Sequence, residues 1–229
     1  MARLTEIIDF AFNHEMTVVT VEDVYKYRLA QIKKIKRGEM ACMPTKFGQF
    51  KSIPFLQYSD NSEHLALIKG NWAKDEPILV RMHSSCATGD VFGSYRCDCG
   101  EQLQESMRLI EKEEKGIIIY LNQEGRGIGL FKKIHAYKLQ DEGFDTVEAN
   151  IKLGCQPDQR DYEVGALMLK ELGVGKIRLI TNNPDKSASL ERYGIEISEI
   201  ISLIIKPNEY NRFYLKTKKD KMGHLLELD

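Results

Sequence analysis

The sequence predicts a mixed α/β domain. Helical and strand-like segments alternate through its middle, and the strand-like runs before them are short and turn-linked, as antiparallel strands are. The glycine-rich stretch "NQEGRGIG" lacks the G-x-G-x-x-G spacing of a doubly wound dinucleotide-binding unit, and no such motif opens the first strand. At 229 residues the chain can bury a real core, as one large domain or two small ones.

The first segment reads as an appended unit. In "LTEIIDFAFNHE", Leu4, Ile7, Ile8 and Ala11 share one helical face. "MTVV" opens a short β-rich run, and Thr20 is the candidate N-cap of a second helix with Asp23 at the capping-box position. The charged run from Lys33 to Glu39 suits either a linker or, through its alternating isoleucines, an edge strand. From Met43 the pattern changes. "GQFKSIPFLQY", "HLALIKG" and "PILVRMH" read as antiparallel strands, with a turn from Gly70 to Asp75. "CGEQLQESMRLIEKEEKG" is helical and leads into "IIIYLNQEGRGIGL", a buried strand feeding a glycine-rich turn. "LFKKIHAYKLQDEG" is again a helix, "DTVEAN" and "PDQRDY" read as loops, and "DYEVGALMLKELG" as a helix. "KIRLITNNPDK" is strand then loop, "ASLERYG" a brief helix, "IEISEIISLII" strand, and "YLKTKKDKMGHLL" a charged helix or tail.

Composition narrows the functions. With 33 basic and 34 acidic residues, the formal charge is -1, so no global field draws nucleic acid or anionic lipid, and an anionic substrate needs a local basic pocket. Five cysteines, an odd number, argue against a disulfide framework and for a reducing, cytoplasmic setting. The start, "MARLTEIIDF", carries acids among its apolar residues, unlike a signal peptide, and no apolar run approaches membrane-spanning length.

The stretch "CATGDVFGSYRCDCG" holds Cys86, Cys97 and Cys99. A redox pair prefers C-x-x-C, whereas C-x-C bridges awkwardly. On a strand, residues i and i+2 share a face, so both later sulfurs can reach one ion, with Cys86 returning across a loop. Three thiolates suit Zn2+. His83 lies too close in sequence to Cys86 to complete a structural set, so the fourth position is expected to be open and the metal catalytic. The competing reading is buried core cysteines, which three thiols beside Asp90, Arg96 and Asp98 fit poorly. Cys42 and Cys155 read as bystanders, and His14, His64 and His224 show no recognisable partner.

Ligand groups are expected where strands end. Glu124 and Arg126 follow one apolar strand. Arg126 suits a phosphate and Glu124 the paired donors of a purine edge, against the blander reading of a tight turn with a surface charge pair. Thr181 and Lys186 follow another strand, although Asn-Asn-Pro is an ordinary turn. Thr146, Asp158 and Arg160 lie in the loops between, where D-x-R is usually a salt bridge. His135 and Tyr137 sit on a helix, where a packed aromatic is the default. One metal and several arginines at strand ends imply a hydrolase of a phosphorylated, heterocyclic compound.

From about residue 43 to 226 the chain resembles GTP cyclohydrolase II. The likeness is carried by "RMHSSCATGDVFGSYRCDCGEQL", "QEGRGIGL", "KIHAYKLQDEGFDTVEAN", "PDQRDY", "LGVGKIRLITNNPDK" and "KMGHLL". The resemblance implies that family's fold, a mixed sheet flanked by helices, over residues 38–229. It implies a zinc ion on Cys86, Cys97 and Cys99, whose water opens the guanine imidazole ring at C8 with loss of formate, and release of pyrophosphate with Mg2+. By the same likeness Arg160 is the nucleophile on the α-phosphate with Asp158 as its base, and Tyr137 assists ring opening. Arg81, Met82, His83, Ser84, Ser85, Gln102, Glu124, Gly125, Arg126, Thr146, Thr181 and Lys186 fall on GTP-contacting positions. An arginine nucleophile is chemically unusual, and stabilising the departing pyrophosphate is the alternative role for Arg160. Ser85 stands where the family commonly has glutamate, so a charge is missing there. The family also implies a homodimer.

"MARLTEIIDFAFNHEMTVVTVEDVYKYR" resembles the C-terminal tail of 3,4-dihydroxy-2-butanone 4-phosphate synthase, which precedes the cyclohydrolase in fused riboflavin enzymes. Residues 1–37 are then a remnant plus linker without synthase activity. A fragment of a fusion, an expressed domain and a shortened descendant all fit. Competing readings are a zinc- and GTP-binding module without turnover, to which Ser85 is the pointer, and an enzyme that opens the ring but keeps the formyl group, against which Tyr137 stands. A nucleic-acid-binding zinc module is disfavoured by the charge balance and the missing fourth ligand.

Overall fold

The computed structural model describes residues 3–24, 33–73, 75–156 and 158–226. They fall into two compact units, residues 1–34 and 35–229. In the first, helix α1 (Leu4–Asn13) forms as the apolar spacing predicts. Where the expected β-rich run begins, Met16–Val19 forms no strand, because among the described residues of this unit no partner strand offers it a ladder. Thr20 does cap a helical turn: its Oγ1 accepts from the Asp23 amide at 3.0 Å, and its own amide donates to Asp23 Oδ2 at 2.8 Å. The remainder of that expected helix, residues 25–32, lies outside the described residues.

The second unit is built on an eight-stranded mixed sheet: β1 (Ile35–Arg37), β2 (Ala41–Thr45), β3 (Gly48–Gln57), β4 (Glu63–Lys69), β5 (Ile78–Ser84), β6 (Gly116–Leu121), β7 (Lys176–Ile180) and β8 (Glu196–Ile201). The edge-strand alternative for the charged run is the one realised, since β1 pairs antiparallel with β3. β2 and β4 pair with β3, and β6 with β4, all antiparallel. Beyond β6 the sheet becomes parallel, in the order β6, β5, β7, β8, so "PILVRMH" (β5), expected as an antiparallel strand, is parallel to both its neighbours because a crossover helix rather than a hairpin leads on from it. Parallel strands need crossovers, and the helices supply them: α2 (Cys99–Glu113) links β5 to β6; α3 (Gly129–Asp141), α4 (Thr146–Lys152) and α5 (Glu163–Glu171) link β6 to β7; α6 (Pro184–Arg192) links β7 to β8. Helix α7 (Arg212–Met222) closes the described chain.

The core explains the apolar run of β6. Ile117, Ile119 and Leu121 pack with Val164, Met168 and Leu169 of α5 on one face, while Ile118 packs with Met107 and Ile110 of α2 on the other. A strand covered on both faces reads as a continuous apolar run rather than an alternating one.

Three local expectations need correction. "DTVEAN" is helix α4: Asp145 accepts from the amides of Val147 at 2.8 Å and Glu148 at 3.0 Å, a D-x-x-E capping box legible in the sequence. α6 starts earlier than "ASLERYG", because Asn183 caps it and Pro184 suits the first helical position. Cys97 and Cys99 do not lie on a strand. Cys97 ends a turn and Cys99 is the first residue of α2, so their sulfurs converge through the loop-to-helix corner.

Candidate active site

Because β5, β6 and β7 run parallel, their C-terminal ends open on one side, with Ser84 in register with Leu121 and Val80 with Leu179. The loops that follow carry the quoted motifs, and with α3, α4 and α7 they line a cleft of about 810 Å³, its open mouth included.

After β5 the chain enters a wide helical turn, Ala87–Val91. Asp90, its side chain withdrawn from solvent, holds it in place by accepting from the Cys86 amide at 2.9 Å, Tyr120 Oη at 2.9 Å and His83 Nε2 at 3.1 Å. Burial keeps His83 below the usual histidine pKa despite Asp90, so the neutral ring donates through Nε2. His83 therefore serves the loop from behind and is not a fourth metal ligand. The sulfurs of Cys86, Cys97 and Cys99 lie within 4.8 Å of one another, and Cys86 Sγ stands 3.6 Å from Cys97 Sγ. Tetrahedral zinc–thiolate bonds of about 2.3 Å would separate two sulfurs by about 3.8 Å. Space is kept for this cluster by Gly89, where a Cβ would sit 2.9 Å from Cys97 Sγ and 3.2 Å from Cys86 Sγ. The thiols are coupled: hydrogen bonding by Cys97 and Cys99 holds Cys86 far below the usual thiol value, and Cys86 in turn pushes Cys97 up to about 11 and Cys99 well above its ordinary value. Three converging sulfurs, one of them already a thiolate held by its two neighbours, can hold a metal ion once it displaces the remaining protons, and their softness fits zinc.

After β6, Gly125 and Arg126 both adopt left-handed backbone, φ +62° each. Such a conformation strains arginine by about 1–3 kcal/mol and is kept where the surroundings use it. Here it buries Arg126 Nη1 and Nη2, which have no hydrogen-bond partner among the described residues. Glu124 is heavily engaged. Oε2 accepts from the Ala87 amide at 2.6 Å, and Oε1 accepts from Lys133 Nζ at 2.7 Å and the Gly125 amide at 3.0 Å. It thus ties this turn to the thiol loop and keeps about one of its four lone-pair positions for a ligand. The carbonyl of Arg126 accepts from the Gln159 amide at 3.0 Å, which brings in the Asp158–Arg160 loop. Arg160 is clamped by Asp158 through Nε (2.9 and 3.1 Å), through Nη2, and through its amide at 3.0 Å. Burial opposes the charge, but Tyr162 and Asp158 outweigh it, so the Arg160 pKa lies above the ordinary arginine value; Asp158 is held low by the same pairing.

Of the sequence-predicted residues, Ser84, Ser85, Cys86, Cys97, Cys99, Glu124, Gly125, Arg126, Tyr137, Thr146 and Arg160 line the cleft. The others, Asp158 among them, are not lining residues. Met82 is a core side chain whose carbonyl accepts from Lys186 Nζ at 2.8 Å. Arg81 donates to Gln102 and to the Ile180 carbonyl, at 3.1 Å for the latter, and Thr181 is buried at the start of its loop. Ser84 and Ser85 hydroxyls are buried without a partner among the described residues. Tyr137 Oη lies 3.1 Å from Thr88 Oγ1, and burial raises its pKa to about 12, so it keeps its proton at neutral pH.

Sequence reasoning missed several side chains. On α3, Lys133, Ala136, Tyr137 and Gln140 share the face that lines the cleft, and the i, i+3, i+4, i+7 spacing around Tyr137 is the signal that could have found Lys133. Tyr214, Lys218 and His224 come from the C-terminal segment; Lys218 Nζ reaches Asp98 Oδ1 at 2.8 Å, 120 residues away. Nothing local could have announced that. His64 also finds partners, Gln57 Oε1 at 3.1 Å and the Asn122 amide at 3.1 Å.

The cations crowd. The Lys186 ammonium is pushed well below its usual value by burial and then by Arg81, Arg160 and Lys218. His224 is lowered to about 3 by burial and by Lys218, Arg160, Arg126 and Lys186. Between pH 6.5, its ordinary value, and about 3, the unfolded chain binds a proton at His224 that the fold refuses. Its contribution to stability is full above pH 6.5 and lost as pH falls. Urea unfolding at pH 7 and pH 5 is expected to show about 1–2 kcal/mol of loss attributable to this residue. His224→Gln is expected to flatten that slope, and an unchanged slope would refute the assignment.

Comparison with known proteins agrees with this geometry. The family model described as GTP cyclohydrolase II matches residues 36–202. Riboflavin biosynthesis protein RibBA of Parabacteroides distasonis is 55% identical over 226 residues, covering 99% of this chain and 56% of the relative. The RibBA protein of Phocaeicola vulgatus is 55% identical over 229 residues, 100% of this chain and 57% of the relative. That of Aquifex aeolicus is 48% identical over 226 residues, 98% and 56% respectively. The chain thus spans little more than half the length of these curated relatives. Among the described residues no helix is long and apolar enough to cross a membrane. With the match extending from the first strand of the sheet through its last, the chain belongs to the GTP cyclohydrolase II family.

Proposed function

We propose that this chain hydrolyses GTP to 2,5-diamino-6-(5-phosphoribosylamino)pyrimidin-4(3H)-one, formate and pyrophosphate, the first step of riboflavin synthesis. The observation that carries the reading is that a thiol triad and the buried guanidinium of Arg126, unpaired among the described residues, open into one cleft. A zinc ion on Cys86, Cys97 and Cys99 would supply Lewis acidity for hydrolytic chemistry at the purine C8. The remaining work falls to the chain itself. Arg126 and Lys218 face the cleft as phosphate ligands, and Mg2+ enters with the substrate phosphates. Arg160 stays protonated under the grip of Asp158, which favours stabilising charge on the departing pyrophosphate over nucleophilic attack. Tyr137 holds its proton at Oη and can donate it to a purine nitrogen as the ring opens. Glu124, Gly125, Ser84, Ser85 and Thr146 border the space left for the nucleoside.

Arg81, Met82, His83, Gln102, Thr181 and Lys186 support that wall from behind. Residues preceding the sheet fit the tail of a synthase domain, and the RibBA relatives are consistent with a longer fused protein. We also place the chain in the cytoplasm, where five free thiols persist, and as a homodimer, for which exposed Val91, Phe92 and Phe131 offer apolar surface. The test is product analysis after mixing zinc-loaded protein with GTP and Mg2+. Formate and pyrophosphate released in step are expected. GTP bound with neither product formed would overturn the reading.

A further inference from the structure

We propose that Lys133 is a positioning residue of the metal centre, donating at once to the Cys86 sulfur and the Glu124 carboxylate and so locking the thiol loop to the purine-facing turn. The inference rests on the metal reading of the site given above. The ammonium lies 3.1 Å from Cys86 Sγ and 2.7 Å from Glu124 Oε1, with the lysine side chain 11% exposed. Its stem is seated by the left-handed turn, because a Cβ on Gly125 would come within 3.1 Å of Lys133 Cβ. One helical turn later on the same face stands Tyr137, whose ring lies 5.7 Å from the ammonium. An ion pair serving only the fold would be complete with Glu124 alone. The second donation, to a sulfur, is what marks this lysine.

The chemistry follows from charge. Three thiolates around a divalent cation leave the centre with one excess negative charge and an electron-rich metal. A hydrogen bond from an ammonium draws density from one sulfur, offsets that charge, and fixes the direction of its lone pairs. Cys86 is the thiol so treated, and it is also the one whose amide is anchored by Asp90. Glu124, engaged by Lys133 on one oxygen and by Ala87 on the other, is thereby aimed rather than free to swing.

The experiment replaces zinc with Co2+ and reads the thiolate-to-cobalt charge-transfer band. In Lys133→Met the sulfur lone pair loses its hydrogen bond and rises in energy, so the band is expected to move to longer wavelength. Lys133→Gln, which keeps a neutral donor, is expected to fall between, and Lys133→Arg to return towards the unmodified position. Lys132→Met, the same charge change on a neighbour that contacts Cys155 at 3.5 Å, is expected to leave the band in place. In the zinc protein, turnover of Lys133→Met is expected to fall about 10–100-fold, with KM for GTP little changed. Circular dichroism checks folding, and Lys133→Gln carries the test if Lys133→Met does not fold. A band that stays put in folded Lys133→Met and Lys133→Gln overturns the assignment. No thiolate band in the unmodified chain overturns the metal centre and this inference together. A normal band without GTP turnover counts only against the proposed activity, since the band shifts still decide the role of Lys133.

Discussion

Cys97→Ser is expected to abolish formate release, by more than the roughly 100-fold that marks the upper end of losses from changes around a metal ligand. Serine keeps the volume but stays protonated at neutral pH, so the triad becomes two thiols and a weak hydroxyl donor. Cys97 is buried against Cys86 at 3.6 Å, with Gly89 leaving no slack for a longer replacement. Pyrophosphate release is expected to survive in larger part. The cations proposed for the phosphates, Arg126 and Arg160, are held by other loops and by Asp158, not by the cysteines. The check is metal content by atomic emission alongside both products. Full metal occupancy with undiminished formate would refute the thiol triad as the metal centre.

The second large effect is expected at Arg160. Its guanidinium is clamped by Asp158, and the pair is mostly withdrawn from solvent, at 14% and 31% side-chain exposure. Arg160→Met removes the charge and also leaves a half-buried carboxylate unpaired, which costs about 1–3 kcal/mol of stability and confounds the reading. Arg160→Lys is the cleaner variant, because it keeps a cation for Asp158 but loses the planar fork. Pyrophosphate release from Arg160→Lys is expected to fall about 100–1000-fold, the scale of losing one preorganised charge stabiliser. Zinc content and the cobalt spectrum are expected to be unchanged. Single-turnover measurements of pyrophosphate with metal analysis decide the matter, and wild-type release in Arg160→Lys would remove this residue from the phosphate chemistry.

Much of the architecture was legible because it rests on short-range patterns. The apolar run of β6, the helical spacing of α1 and the turn residues between early strands are local signals, and each element forms where they predict. Two segments differ from their local expectation for physical reasons. "MTVV" carries β-branched residues, yet a strand needs a partner that this unit lacks among its described residues. "DTVEAN" carries a capping box that marks a helix start.

The site divides the same way. Three thiols in fourteen residues, and glycines beside Glu124 and Arg126, are properties of the chain read in order, and the thiols are enough to point to the cluster that could hold a metal ion. Only the tertiary structure decided which groups share the cleft and in what state of charge. Lys133 meets Cys86 across 47 residues, and Lys218 meets Asp98 across 120. His83 is engaged by Asp90 through Nε2 rather than by the thiol cluster. Arg160 remains a fixed cation because burial, Tyr162 and Asp158 are balanced around it in space. Residue identity and spacing are local facts, whereas burial and electrostatic coupling are sums over neighbours that the sequence scatters along its whole length.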